Sequence, residues 1–146
     1  DRCNDAIPNL SKAIEGRPTT TDSSFYRGIC FARAERYQEA LTDFDRILSI
    51  KPGIAQVHYF RGSVKQELGR LDDALADVSR AIELDQGNVD WFVVRGHLNL
   101  DLGRLEPAFQ DMTRAIELKP TDPQLYRARS LVAEELDKLG DAIRDV

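Results

Sequence analysis

Between residues 55 and 84 the apolar side chains fall into two helical stripes separated by a glycine. Val57, Phe60, Val64 and Leu68 recur at intervals of three and four, which places them on one face of an α-helix. Gly69 follows as a residue able to take the left-handed conformation that ends a helix. Asp72 and Asp73 open the next stretch, where negative charge suits the N-terminal end of the helix dipole. Leu75, Val78, Ala81 and Ile82 form the second stripe. The pattern predicts two antiparallel helices joined by a tight turn, each burying one face.

The same pattern returns along the whole chain. The segments RYQEALTDFDRILSIKP, GRLDDALADVSRAIELD and GRLEPAFQDMTRAIELKP superpose, and their alanines Ala40, Ala74 and Ala108 stand 34 residues apart. Arg27-Gly28, Arg61-Gly62 and Arg95-Gly96 keep the same step, as do Asp43, Asp77, Asp111 and Asp145. A period held by independent markers signals a repeat architecture in which each unit buries its apolar face against its neighbours. With the glycines at position 8, full repeats occupy residues 21–54, 55–88 and 89–122. Residues 1–20 read as the second half of a preceding unit, with Ala6, Leu10, Ala13 and Pro18 in register. Residues 123–146 open an incomplete final unit, with Ser130 in the glycine slot and Ala142 in the alanine slot of a second helix.

Small residues at positions 8 and 20, a large one at 24 and proline at 32, in a 34-residue helix–turn–helix period, resemble the tetratricopeptide repeat family. The resemblance covers the whole chain. It implies an all-α, right-handed α-solenoid of antiparallel helix pairs. Gln86 replaces a proline of the pattern, Ile47 an alanine, and arginine fills position 7 where the family usually carries an apolar residue. Prolines fall where helices tolerate them: Pro107 in a first turn, and Pro123 just after the capping residue Asp122. Pro8 fits if Asp5 caps a helix starting at Ala6, which predicts that residues 1–4 are irregular.

The resemblance further implies a concave groove lined by positions 2, 5, 9, 12 and 13 of successive first helices. On this chain the first full unit contributes Phe25, Ile29, Ala32 and Arg33, and the second Tyr59, Ser63, Gln66 and Glu67. Val93, His97, Leu100 and Asp101 follow from the third, and Arg127, Leu131 and Glu134 from the last. An apolar strip edged by carboxylates suits a protein segment or peptide with hydrophobic anchors and positive charge, a basic, amphipathic ligand. Relatives that grip the C-terminal carboxylate of a chaperone carry Lys, Arg and Asn at positions 2, 5, 6 and 9. Those slots here are mostly acidic, apolar or aromatic, so no such carboxylate clamp is expected.

Charge narrows the picture. The net charge of −5, with 25 acidic against 20 basic residues, argues against nucleic acid, which needs clustered Lys and Arg. No apolar run is long enough to insert in a membrane, and no signal peptide opens the chain, which favours a cytoplasmic over a secreted setting. Position 7 lies on the packed face, where a charge survives only when paired. Arg27, Arg61, Arg95 and Arg129 are therefore expected to pair, bidentately where space allows, with Asp43, Asp77, Asp111 and Asp145. Cys3 and Cys30 are read as small buried residues, His58 as a packing residue and His97 as a groove side chain.

Nothing resembles a catalytic constellation. The chain has no HExxH, no GxSxG, no glycine-rich phosphate loop and no paired Cys/His spacing, so neither a metal nor a cofactor is expected. The reading is a non-catalytic protein–protein interaction scaffold or adaptor. Two alternatives stand beside it. One is a regulatory or substrate-presenting segment of a larger multidomain enzyme; the other is a self-assembly module that forms homo-oligomers through the uncapped end repeats.

Overall fold

The computed structural model describes residues 2–17 and 20–144, with side chains placed from residue 3 to residue 137 within those ranges. Among these residues the secondary structure is helical, so the fold class is the all-α helical repeat. Two compact units divide the chain, residues 1–84 and residues 85–146.

The first unit holds α1 (Arg2–Gly16), α2 (Thr21–Arg33), α3 (Tyr37–Ile50), α4 (Ala55–Glu67) and α5 (Leu71–Leu84). Its core lies among α2, α3 and α4, where Phe44, Ile47, Val57 and Ala40 are almost wholly buried. The Phe25 ring meets the Phe60 ring edge-on at 5.4 Å, and Phe60 stacks on Phe44 at 6.4 Å. Aromatic pairs at these separations add roughly 0.5–1.5 kcal/mol each beyond the area they bury. The close approach of paired helices needs the small residues. A Cβ on Gly62 would sit 3.1 Å from the Ala74 carbonyl oxygen and 3.1 Å from Val78, while Ala74 itself is fully buried.

The second unit holds α6 (Val89–Asp101), α7 (Leu105–Leu118) and α8 (Pro123–Arg144). Ala108, Met112 and Val132 form its centre, with Leu100, Phe109, Ala128 and Leu136 packed around them. Trp91 and Phe92 are buried, as expected of packing residues. Asn88 caps α6 by accepting the Asp90 amide, and Asp122 accepts the Gln124 amide at the start of α8, with Pro123 its first helical residue.

Helix ends repeat as faithfully as helix faces. α2, α4 and α6 each close with paired backbone bonds that satisfy their last carbonyls: Arg36 N–H to Phe31 O, Arg70 N–H to Lys65 O, Arg104 N–H to Asn99 O. The residue just before the donor takes a positive φ in every case, 59° at Glu35, 71° at Gly69 and 70° at Gly103.

Two expectations are corrected. Residues 2–4 are helical rather than irregular, because α1 begins at Arg2 and carries Pro8 inside it. Cys3, Ile7, Leu10 and Ile14 repeat at helical spacing, with Cys3 and Ile14 buried, so packing of the first turn outweighs the hydrogen bond that proline removes. At the other end, α8 runs unbroken through residue 140 instead of turning back into a second helix. Asp137 occupies the slot that Glu35, Gly69 and Gly103 fill with left-handed backbone, and the helix passes straight through it. Ser130, in the glycine slot, is consequently exposed rather than pressed against a partner helix. Pro18 and Asp145 lie outside the described residues, as does the Ala142 side chain.

Candidate functional site

The first helix of each full repeat is clamped to its second helix by a buried ion pair. Asp43 accepts Arg27 Nε at 2.8 Å and Nη2 at 2.7 Å, and Asp77 accepts Arg61 Nε at 2.8 Å and Nη2 at 2.6 Å. Asp111 takes Arg95 in the same two-pronged way, with Nη2 at 2.6 Å. The carboxylates are 2%, 4% and 3% exposed, so these pairs are interior fixtures and not a row of ligand contacts. Arg129 packs its guanidinium over the Phe109 and Tyr126 rings, each at 5.8 Å; its expected partner Asp145 is outside the described residues.

Each brace has further members that the repeat pattern did not announce. The position-11 side chain reaches the same carboxylate: Lys65 Nζ lies 2.7 Å from Asp77, and Asn99 Nδ2 donates to Asp111 at 3.2 Å. Arg61 also donates to Asp45 at 2.7 Å, and Arg27 to Ser11 at 2.9 Å, tying α4 to α3 and α2 to α1. Buried His58 donates its Nε2–H to the Pro52 carbonyl at 2.9 Å in the protonation that this contact requires. Burial works to raise the Asp77 pKa, but the hydrogen bonds from Arg61 and Lys65 outweigh it and hold the carboxyl below its ordinary value.

With those side chains committed, another face of α2 and α4 remains open. A cleft of ≈ 340 Å³ lies between them, lined by Ile29, Ala32, Arg33, Tyr37, Phe60, Ser63, Val64 and Glu67. Ile29, Arg33, Ser63 and Glu67 are groove residues expected from the sequence, and the fold brings them together. Arg33 and Glu67 are exposed, while Ile29 and Ser63 are half-buried. The Ser63 hydroxyl donates to the Tyr59 carbonyl at 3.1 Å, which leaves the middle of the cleft without a competing donor from that side chain. Burial, then the charges of Glu67 and Glu35, push the Tyr37 phenol upward, so it stays neutral at the edge of the cleft.

Phe25 belongs mainly to the core, locked between Phe44 and Phe60. Tyr59 is half-buried with its ring against Phe60, and Gln66 is half-buried beside it on α4. In the second unit His97 and Asp101 are exposed and Val93 is half-buried, whereas Leu100 packs against Met112 and Val132. Arg127 and Glu134 are exposed on α8, and Leu131 stands 57% exposed, one of the largest uncovered apolar side chains. Tyr37, Phe60 and Val64 were not foreseen as lining residues. Phe60 and Val64 were read as buried stripe, and Tyr37 begins a second helix, for which the groove pattern has no slot.

The model of the tetratricopeptide repeat matches residues 1–53 and 60–123. The chain belongs to the tetratricopeptide repeat family. No curated protein matches it at a significant level. Among solved structures, the crystal structure of MamA aligns with TM-score 0.84 at 18% identity, over 94% of this chain and 81% of that one. The first repeat domain of Spaghetti (RPAP3), bound to the HSP90 peptide SRMEEVD, aligns with TM-score 0.74 at 20% identity, over 80% of this chain and 93% of that one. YrrB, described as a repeat protein with an unusual peptide-binding site, aligns with TM-score 0.79 at 20% identity, over 92% and 70%. At such identities the likeness establishes the fold.

The arginine at position 7 of each full repeat is thus accommodated by a charged pair with the aspartate of the second helix. Among the described residues, no group of three or more His, Cys, Asp or Glu side chains is arranged to hold a metal ion. No described helix is long and apolar enough to cross a membrane.

Proposed function

We propose that this repeat array is a protein-interaction scaffold whose primary contact is the cleft between α2 and α4. The observation that carries the reading is the composition of that cleft. Ile29, Ala32, Phe60 and Val64 make an apolar floor, and Arg33 and Glu67 place opposite charges at its edge. Its volume of ≈ 340 Å³ is at the small end of ligand pockets and suits one or two side chains of a peptide rather than a whole cofactor. The ligand is a peptide with an aliphatic or aromatic anchor, flanked by a basic residue toward Glu67 and an acidic one toward Arg33. A net charge of −5 biases the encounter toward basic partners. Membership of a family with peptide-bound members supports the general class of activity.

The C-terminal tail of a chaperone is a poor fit, because Asp22, Phe25, Tyr26 and Ile29 stand in the slots that a carboxylate clamp fills with Lys, Arg and Asn. In the second unit, Leu131 with Arg127 and Glu134 offers a separate contact of the same mixed character. Display selection of peptides on the purified chain, followed by fluorescence polarisation, tests the reading. Ser63→Trp fills the cleft, and Arg33→Glu with Glu67→Lys reverses its edge without touching the core. Each change is expected to weaken the selected peptides by about tenfold or more, corresponding to ~1.4 kcal/mol. Peptides that bind all variants equally would place the site elsewhere.

A further inference from the structure

α1 and α2 carry the only two cysteines of the chain, Cys3 and Cys30, and the fold brings them together although 26 residues separate them in sequence. Neither is in a disulfide, and both are almost buried, at 9% and 8% exposed. Both line one cleft of ≈ 560 Å³ between α1 and α2, with Ala6, Asn9, Leu10, Tyr26, Ile29 and Arg33 completing its wall. Cys3 is near enough to be one of the groups that act on the Cys30 thiol. Two thiols at the wall of one open cleft have a chemistry that packing does not use.

We propose that Cys3 and Cys30 form a reversible disulfide that pins α1 to α2, made by exchange with a small disulfide that enters this cleft. The cleft decides which reagents reach the sulfurs. It admits a molecule the size of a short peptide disulfide, while the burial of both thiols keeps them from a cysteine on another folded chain. Intramolecular closure is therefore favoured over dimers. In the first step one cysteine thiolate attacks a sulfur of oxidised glutathione, forming a mixed disulfide and releasing one glutathione thiolate. The neighbouring cysteine gives up its proton and attacks the protein-bound sulfur, expelling the second glutathione. Two protein thiols are oxidised, one glutathione disulfide is reduced to two thiols, and the two protons end on the departing glutathiones. Closure brings the two sulfurs, which line the same cleft, to a bond of about 2 Å.

The resting pair is protected from indiscriminate reaction. Burial, followed by the nearby Cys3, raises the Cys30 thiol to about 11, against a smaller opposing effect of Arg33. The pair therefore rests as thiols and exchanges slowly, because little thiolate is present near neutral pH. Because Ile29 and Arg33 also line the α2–α4 cleft, a bond between α1 and α2 stiffens the helix that carries half of that contact surface.

The test uses the folded chain with oxidised glutathione as oxidant, read by intact mass, thiol titration after denaturation, and thermal melting. The expected product has lost both thiols, is lighter by two hydrogens, carries no glutathione and elutes as the untreated chain does. Proteolysis yields a Cys3–Cys30 linked fragment. The midpoint rises by roughly 5–10 °C, as expected for closing a loop of this length in a chain of this size, and returns on addition of dithiothreitol. Cys3→Ser gives a single glutathione adduct at most and no gain in midpoint. A chain that keeps both thiols while its denatured form oxidises would overturn the proposal, as would a stable adduct of two glutathiones or oxidation to disulfide-linked dimers.

Discussion

Replacing Asp77 by asparagine removes one charge from the most heavily used brace while preserving shape. Asp77 is 4% exposed and accepts Arg61 at 2.8 and 2.6 Å and Lys65 at 2.7 Å. Its cations are themselves mostly buried, with side chains 20% and 15% exposed. The carboxamide of the Asp77→Asn chain could still accept a hydrogen bond through its oxygen, but its NH2 group would point two donors at two cations. Losing one partner of a buried pair costs about 3–5 kcal/mol, and Arg61 keeps Asp45 as an alternative, so the lower half of that range applies. For a chain of this size about 3–4 kcal/mol corresponds to a fall of roughly 10 °C in melting temperature. The matched control is Asp45→Asn: Asp45 is 61% exposed, and exposed pairs contribute about 0–1 kcal/mol. Urea unfolding followed by circular dichroism, on both variants and the parent, makes the comparison. An Asp77→Asn chain within about 0.5 kcal/mol of the parent would refute the claim that these pairs are structural, whatever the distances say.

The same carboxyl sets a pH dependence. Its pKa is depressed in the folded chain, so its contribution is present above the unfolded value near 3.8 and is lost as pH falls through the lower folded value. Urea midpoints are expected to be level above about pH 5 and to fall below about pH 4, less steeply in Asp77→Asn. Glu35 holds φ 59° where the next two repeats have Gly69 and Gly103, so Glu35→Gly should stabilise by about 0.5–1 kcal/mol, whereas Gly69→Ala should destabilise by a similar amount; thermal melts distinguish the signs. Gly62→Val would drive a branched side chain toward the Ala74 carbonyl and Val78, and should cost about 2–3 kcal/mol in urea unfolding.

Much of the architecture was legible because the repeat states it several times over. Thr21, Ala55, Val89 and Pro123 begin first helices at a constant step, and Gly28, Gly62 and Gly96 keep register with Ala40, Ala74 and Ala108. The Arg–Asp pairing followed from a physical constraint, since a charge at a packed position demands a partner. What stayed hidden was not periodic. Lys65 and Asn99 join the braces through one position that holds Phe31 in the first repeat, so no recurring residue type marked the role. Pro8 suggested a late start for α1, yet tertiary packing of Cys3 and Ile14 prevails over local propensity. Asp137 in place of glycine was a visible signal that α8 would not turn, and the strength of the period masked it. Phe25 and Leu100 occupy groove positions but turn part of their surface inward, a distinction that depends on neighbours such as Phe60 and Met112.

Backbone amide chemical-shift mapping with a selected peptide tests the cleft between α2 and α4 most directly. The expected shifts centre on Ile29, Ala32, Arg33, Ser63 and Glu67, and they vanish in the Arg33→Glu, Glu67→Lys chain at the same peptide concentration. Shifts concentrated on the outer faces of α3 and α5, around Ser49, Arg80 and Glu83, with the cleft residues unmoved, would contradict it.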